Sequence, residues 1–155
     1  MSETERPHAK YLKKIGFNKF AEFRILDDLT SELRLSDHDT ADEERAIYAW
    51  VIDGEIVRIG CCQSTLRKRI SDAARWMELR LLKTSRVKDE KRRAKEYKDA
   101  KRWKCRLWKT DKFAEIWGRG GTIVDTPIGK INIYLAEENA LLQKFKPPLN
   151  NSYQR

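Results

Sequence analysis

The dipeptide Asp53-Gly54 most constrains the fold, because it separates two short β-rich runs, residues 46–52 and 55–60. Asp-Gly in this setting is among the strongest short-range signals of a β-hairpin, since a tight primed turn needs positive φ at its central residues. The first run is apolar at nearly every position, which predicts a strand covered on both faces. A hairpin of this kind is common in α+β domains, and by itself it carries no chemistry.

A helix is predicted directly after this hairpin, with Ser64 as its N-cap and its end near Leu82. Its inner face is marked by apolar residues at helical spacing, which are Leu66, Ile70, Ala73, Ala74, Met77 and Leu81. Residues 83–112 follow without Gly or Pro and predict one or two further helices. Trp103 and Trp108 are interpreted as core residues of this segment.

The basic charge of the chain is concentrated in one segment. The net charge is +9, while residues 80–112 alone carry 15 Lys and Arg against 5 Asp and Glu, a net of +10. Residues 1–45 carry 8 against 11, a net of −3. This asymmetry indicates a polyanionic partner, with nucleic acid first and a membrane surface second. The alternative is a solvated basic face on a helical hairpin.

The C-terminal part predicts short strands at residues 113–117, 122–124 and 131–134, with a turn at the glycine cluster 118–121. A last helix, about 135–145, ends before Pro147, which cannot continue it. This order of elements predicts an α+β fold, in which a small, mainly antiparallel sheet is flanked by helices and carries a basic helical insertion.

Residues 1–45 are interpreted as an N-terminal extension that packs on the core or on a second subunit. Its apolar residues predict one amphipathic helix interrupted at Gly16, involving Tyr11, Leu12, Ile15, Phe17 and Phe20. Residues 23–25 and 33–35 are read as short strands or a helical turn, and 36–44 as a loop. The remaining divisions are a domain at 46–150, its insertion at about 83–112, and a tail at 151–155.

Several protein classes are excluded by composition. No stretch approaches the roughly 20 apolar residues of a membrane span, and no apolar region of a signal peptide is expected at the N-terminus. Three cysteines do not make a disulfide framework, which favours the cytoplasm. The two histidines lie far from the cysteines, so a structural zinc site is not expected. A basic membrane-surface protein would need a larger apolar moment beside its charge.

Four elements in order resemble the GIY-YIG nuclease family, over roughly residues 46–76 and 113–150. Ala46-Ile47-Tyr48 is similar to the first signature tripeptide, and Arg58-Ile59-Gly60 to the second. Arg69 matches the family arginine of the following helix. The stretch from Glu138 to Asn150 matches the closing pattern of Glu, apolar helix, Pro and Asn. The small free-standing phage and type II restriction members are the most similar.

The resemblance implies a catalytic set of Tyr48, Arg58, Arg69, Glu138 and Asn150. Tyr48 would act as general base or position the attacking water, with a neighbouring arginine as the cation that favours its phenolate. The two guanidinium groups could also hold non-bridging phosphate oxygens. Glu138 would bind a single Mg²⁺, with Mn²⁺ as the alternative ion, and Asn150 would order the site by hydrogen bonds.

Two positions depart from the family pattern, and one has a competitor. Arg58 replaces the second signature tyrosine, which looks like the mark of a subclass. Ala73 stands where the family often has Tyr or His, so the usual proton relay is in doubt and Lys68 is one substitute. Glu137 competes with Glu138, but the family spacing to Pro147 and Asn150 favours Glu138.

The function implied is a Mg²⁺-dependent endonuclease that acts on double-stranded DNA and forms a homodimer or higher homo-oligomer. The alternative is a nuclease-derived module that binds nucleic acid without cutting it. Lys and Arg residues release counterions when they contact phosphates, which is the usual source of nucleic-acid affinity. The DNA-binding residues predicted on this ground are Arg67, Lys68, Lys91, Arg92, Arg93, Lys95, Lys98, Lys101 and Arg102.

Overall fold

The computed structural model of the protein describes residues 8–108 and 113–150. The helices are α1 (His8–Lys14), α2 (His38–Ala41), α3 (Leu66–Leu81), α4 (Glu90–Trp108) and α5 (Tyr134–Phe145). The strands are β1 (Asn18–Ile25), β2 (Ser31–Leu35), β3 (Glu44–Ile52), β4 (Glu55–Thr65), β5 (Ala114–Gly120), β6 (Ile123–Thr126) and β7 (Gly129–Asn132).

Five of these strands form one antiparallel sheet in the order β2-β1-β5-β3-β4, and β6 and β7 form a separate hairpin. The predicted α+β architecture, a mainly antiparallel sheet flanked by helices, is therefore confirmed. No helix in the described part of the chain is long and apolar enough to cross a membrane.

The β3–β4 hairpin has the predicted turn. Asp53 has φ 52° and Gly54 has φ 79°, so both central residues lie in the left-handed region that a primed turn requires. Strand β3 lies between β4 and β5, and it is buried from Ala46 to Ile52. The prediction of a strand covered on both faces is confirmed.

Successive side chains of β3 point to opposite faces, and each face has its own core. On one face Tyr48 and Trp50 pack in a cluster with residues of α3 and α4, including Met77 and Trp103. On the other face lies a second cluster, formed with α1 and α5, whose members include Leu12, Ile47, Ala49, Ile59, Leu141 and Leu142. The sheet thus separates α3 and α4 from α1 and α5.

The prediction of one N-terminal helix reaching Phe20 is wrong. Helix α1 ends at Lys14, Gly16 takes φ 94°, and Phe20 lies in β1. The spacing of the apolar residues resembled that of one helix face, but Phe17 and Phe20 are buried in two different cores. Residues 23–25 and 33–35 lie in β1 and β2, so the strand alternative holds. The predicted loop contains the short helix α2, whose N-cap Asp37 accepts a hydrogen bond from the Thr40 amide.

The start of α3 also differs from the prediction, while α4 lies within the segment predicted to be helical. The N-cap of α3 is Thr65 instead of Ser64, because β4 continues to Thr65, whose hydroxyl accepts from the Lys68 amide at 3.2 Å.

Trp103 is buried as predicted. Trp108 is 46% exposed and is not a core residue, although its indole nitrogen donates to the Ile25 carbonyl at 3.1 Å. The predicted insertion extends to residue 112, and residues 109–112 lie outside the described part of the chain.

The glycine cluster lies largely in a strand, and the predicted turn at 118–121 is wrong, because β5 continues to Gly120. Gly118 is required for packing, since a Cβ there would come within 2.7 Å of Leu66 Cδ1 and 2.9 Å of Phe20 Cε1. The predicted strand at 131–134 is shifted, because β7 ends at Asn132 and Tyr134 already begins α5.

Candidate active site

Tyr48 and Gly60 are paired across the two strands of the hairpin. The Tyr48 ring lies over the glycine, where a Cβ would overlap with the hydroxyl oxygen and Cζ. The tyrosine is only 2% exposed, so its ring is enclosed by the sheet and by α3. The hairpin register therefore places a buried aromatic hydroxyl at one defined point of the sheet.

Arg69 lies in the first turn of α3 and reaches this hydroxyl. Its Nε donates a hydrogen bond to Tyr48 Oη at 3.3 Å. The charge of an ionised Tyr48, and then the hydrogen bond to it, raise the pKa of Arg69. The hydrogen bond thus holds the guanidinium and the tyrosine hydroxyl against each other.

Arg58 lies on β4, directly opposite Trp50 and two residues before Gly60, so its side chain is on the same face of the sheet as Tyr48. It lines a cavity of about 370 Å³ together with Tyr48 and Arg69. The structure thus brings three of the five predicted catalytic residues into one cavity. Two guanidinium groups beside a hydroxyl suit a phosphate group, whose oxygens accept from the guanidinium fork.

Asn150 stands behind this cavity and holds the edge of β4. Its Oδ1 accepts from the Ile59 amide at 2.7 Å, and its Nδ2 donates to the Ile59 carbonyl at 2.7 Å. The Leu149 amide adds a hydrogen bond to the Val57 carbonyl at 2.9 Å. Asn150 is 1% exposed. It satisfies both backbone hydrogen-bonding groups of Ile59, the residue between Arg58 and Gly60. Its position suits the ordering role that the resemblance implies.

Glu138 lies on α5, which packs against the other face of the sheet, and it does not line the cavity of Tyr48. Its carboxylate contacts the Cys61 thiol on β4. Burial, followed by the charge of Glu138 and its hydrogen bond, raises the pKa of Cys61 to about 12. Arg69 also lies near Cys61, because the two residues line a second, open depression. The positive charge of Arg69 opposes the rise of the Cys61 pKa but does not outweigh it. Glu138 and Arg69, which come from different helices, therefore both lie near Cys61.

Glu137, the competing carboxylate, is held by the protein. It forms an ion pair with Arg119 and accepts from the Thr122 amide at 2.8 Å and the Thr122 hydroxyl at 2.7 Å. Burial alone would raise its pKa, but these hydrogen bonds outweigh burial and lower it. Glu137 thus joins α5 to the end of β5. In the described part of the chain, Glu138 forms no ion pair, so it is the carboxylate available to a ligand.

The described residues contain no metal site built from several protein ligands. No three His, Cys, Asp or Glu side chains among them lie close enough together to hold a metal ion. Glu138 would supply one carboxylate oxygen. This donor fits Mg²⁺, which keeps several waters and is commonly held by one or two carboxylates together with substrate phosphates.

The two basic residues predicted for DNA binding at the start of α3 have partners within the protein. Arg67 Nε donates to Asp42 at 2.9 Å, and its Nη2 lies 3.1 Å from the His38 ring. Lys68 pairs with Asp72 at 3.3 Å. These are exposed pairs of small energy, so they orient the side chains without removing them from solvent.

On α4, Lys91, Lys95 and Lys98 form what we call the lysine stripe. The three exposed residues recur at helical spacing on the side opposite the buried residues Ala100 and Trp103. The stripe forms no ion pair with any described residue. The other predicted basic residues of α4 contact the protein: Arg92 pairs with Glu96, Arg93 donates to the Val87 carbonyl, Lys101 lies over the Tyr97 ring, and Arg102 donates to the Pro148 carbonyl.

The sequence reasoning missed several residues of the cavity, and the polar and aromatic ones among them include Asp72, Trp76, Asp99 and Trp103, which line it beside Tyr48 and Arg69. A helical signal was present, because Asp72 and Trp76 lie three and seven residues after Arg69, on one side of α3. Asp99 and Trp103 could not be placed there from sequence, since they come from a separate helix.

Comparisons with known proteins show the fold. No family model matches the sequence, and no curated protein matches it. A mutant of bacteriophage T4 EndoII superposes with a TM-score of 0.60 and 21% identity, covering 92% of this chain and 98% of the other. Restriction endonuclease HPY188I, in complex with product DNA, superposes with a TM-score of 0.49 and 16% identity, covering 89% of this chain and 78% of the other. This protein thus has an α+β fold similar to that of EndoII.

Proposed function

We propose that this protein is a Mg²⁺-dependent DNA endonuclease of the GIY-YIG type that hydrolyses phosphodiester bonds. The observation that carries the proposal is the meeting of Tyr48, Arg58 and Arg69 in one cavity, at positions that match the family signature. The fold shared with EndoII supports it. The hydrogen bonds of Asn150 to Ile59, the residue between Arg58 and Gly60, agree with it.

In this mechanism the chain's own residues hold the phosphate and prepare the nucleophile. Tyr48 accepts the hydrogen bond of Arg69, so its hydroxyl is held in place to position the attacking water or to act as its general base. Arg58 presents its fork to the non-bridging oxygens, whose charge rises in the transition state. Glu138 would hold Mg²⁺, which would supply positive charge to balance the charge that develops during hydrolysis. Asn150 keeps β4, and with it Arg58, in position.

The proposed substrate is double-stranded DNA, and the lysine stripe is its main electrostatic contact. Lys91, Lys95 and Lys98 are exposed on α4, which packs on the same face of the sheet as Tyr48. Contacts of this kind go to phosphates and carry no sequence information, so they fix the position of the duplex. Arg67, Lys68, Lys101 and Arg102 are proposed to extend this surface.

We propose further that the active form is a homodimer or higher homo-oligomer, because cleavage of both strands calls for two active sites with opposite orientation. A twofold axis supplies such a pair with one type of subunit. Sedimentation equilibrium with and without duplex DNA tests this proposal. A monomer under both conditions, together with double-strand cleavage, would contradict it.

A plasmid cleavage assay tests the central proposal. Supercoiled plasmid should be nicked or linearised by the protein with Mg²⁺ or Mn²⁺ and left intact with EDTA. Tyr48→Phe removes the hydroxyl and should abolish cleavage. Tyr97→Phe is the matched control, because Tyr97 lies on α4 outside the cavity of Tyr48. Cleavage that survives Tyr48→Phe would refute the assigned role of the tyrosine.

The second candidate function is a module that binds nucleic acid without cutting it. The observation that favours it is that Glu138 does not line the cavity of Tyr48, although the two residues carry different parts of the proposed chemistry. In that case duplex DNA binds and the plasmid stays supercoiled with every divalent ion. The same assay, run beside a binding measurement, therefore separates the two functions.

A further inference from the structure

The cavity of Tyr48 extends well beyond the residues needed to hold a phosphate. Its walls include the side chains of Trp76, Met77 and Trp103, together with the carboxylates of Asp72 and Asp99. The proposed hydrolysis assigns no task to any of these five. Trp103 packs edge-on against Trp50 with ring centroids 4.9 Å apart, so the cavity has a rigid aromatic floor.

The geometry of α3 gives the cavity two ends. Arg69 and Trp76 are seven residues apart, which is two helical turns or about 10 Å. Asp72 and Ala73 lie one turn after Arg69, and the methyl group of Ala73 leaves space between the ends. Arg58 enters from β4 opposite Trp50. One end thus has the guanidinium groups of Arg58 and Arg69 and the Tyr48 hydroxyl, and the other has aromatic rings with Arg102 beside Asp99.

The carboxylates argue against a phosphate at the aromatic end. Among the described residues, Asp72 is paired with Lys68 at 3.3 Å, and Asp99 with Arg102 at 3.8 Å. Arg102 also lines the cavity, where Asp99 offsets its charge, and both carboxylates remain acceptors on the cavity wall. A carboxylate repels phosphate oxygens but accepts hydrogen bonds from the exocyclic amino group of a base such as cytosine. Indole rings stack on nucleobases of any sequence. The two ends therefore match the two ends of one nucleotide.

We infer that this cavity binds a single nucleotide of the DNA, with its phosphate at Arg58 and Arg69 and its base turned out of the stack toward Trp76. The inference rests on the proposed DNA endonuclease function and names the part of the substrate that the site holds. A base must leave the duplex to enter the cavity, and this step costs least where the base is unpaired. The acceptors Asp72 and Asp99 select bases that carry an amino group.

Titration calorimetry with metal-free protein tests the inference without cleavage. The ligands are deoxycytidine monophosphate and deoxyribose 5-phosphate, which share the sugar and phosphate but differ in the base. The nucleotide should bind about 10-fold more tightly, the gain expected from stacking on an aromatic side chain. Equal affinities would overturn the inference.

Variants identify the end of the cavity that binds the base. Trp76→Ala should remove the advantage of the nucleotide over the sugar phosphate, and Trp76→Phe should restore part of it. Trp108→Ala is the matched control, because this exposed tryptophan lies outside the cavity. Asp72→Asn should weaken binding of the nucleotide, while Asp125→Asn, at an exposed position, should leave that affinity unchanged. The tryptophan indole NMR signals of the wild type supply a second measurement, and no shift on adding nucleotide would overturn the inference.

A DNA experiment separates this inference from the proposed function. A duplex with one mismatched cytosine should bind more tightly than the matched duplex, and Trp76→Ala should remove the difference. If plasmid is cleaved but neither nucleotide nor mismatch is preferred, the nuclease proposal stands and the base site is wrong. If nucleotide is preferred and plasmid stays intact under all ions, the base site stands and the nuclease proposal fails.

Discussion

Gly60 leaves open the space that the Tyr48 ring occupies, since a Cβ at Gly60 would overlap with the tyrosine hydroxyl and Cζ. Gly60→Ala should therefore displace the hydroxyl from Arg69 and reduce cleavage by at least about 10-fold. Overpacking of this kind costs about 1–3 kcal/mol of stability. Plasmid cleavage and thermal unfolding measure the two effects.

Gly129→Ala is the control for that experiment, because Gly129 has φ +124° and no atom within 4 Å of an added Cβ. It strains the backbone at a residue outside the cavity lining, so it should lower stability and leave cleavage unchanged. Full cleavage by Gly60→Ala would show that the position of Tyr48 is not critical.

The two adjacent carboxylates of α5 should respond differently to the same change. Glu138→Gln should abolish cleavage and leave DNA binding nearly unchanged, since a carboxylate adds no attraction toward phosphate. Glu137→Gln should stay active but lose stability, by about 1–3 kcal/mol, because Gln cannot accept as many hydrogen bonds from Arg119 and Thr122. Cleavage, binding and unfolding of both variants are measured together. Loss of cleavage in both to the same degree would contradict the assignment of Glu138.

The reactivity of the Cys61 thiol tests the position of Glu138 without any substrate. Burial first, and then the charge and hydrogen bond of Glu138, raise the pKa of Cys61 to about 12. A raised thiol pKa keeps the unreactive protonated form, so at pH 8.5 iodoacetamide should modify the exposed Cys105 much faster than Cys61. In Glu138→Gln the second cause is lost, the pKa falls, and Cys61 should react faster. Mass spectrometry of the modified peptides gives both rates, and an unchanged Cys61 rate would place Glu138 elsewhere.

The lysine stripe should determine the salt dependence of DNA binding. Replacing Lys91, Lys95 and Lys98 by Ala should weaken binding to all sequences and reduce the slope of log affinity against log salt by roughly 0.9 per lost phosphate contact. The matched control replaces Lys10, Lys13 and Lys14 of α1, which packs on the other face of the sheet. Equal slopes for the two triple variants would show that the stripe is only solvated.

Arg58 distinguishes this chain from the common family pattern. Arg58→Lys keeps the charge but loses the fork, and should lower single-turnover cleavage about 10- to 100-fold, while Arg58→Ala should approach the ~2.7–4 kcal/mol cost of a lost preorganised donor. Arg58→Tyr should be worse than Lys, because the site beside Tyr48 and Arg69 is built around a cation. Rates are read from pH 6 to 9 with saturating enzyme and Mg²⁺. A wild-type rate and pH profile in Arg58→Ala would make Arg58 structural.

Local chemistry explains what could be predicted from the sequence alone. Asp53 and Gly54 tolerate positive φ, so the hairpin follows from two residues, and its register places Tyr48 opposite Gly60. The helical spacing of α3 then places Arg69 on the side of Tyr48. These inferences need only neighbours in sequence, and for that reason the α+β class was correct.

Tertiary packing alone decided the rest, because it depends on contacts between residues that are far apart in sequence. Nothing local shows that β5 inserts between β1 and β3, or that Phe17 and Phe20 enter different cores. The spacing to Pro147 and Asn150 favours Glu138 in sequence, but only the fold shows that Arg119 and Thr122 bind Glu137. The cavity likewise exists only where α3 and α4 meet the sheet, since its aromatic and acidic walls come from separate helices.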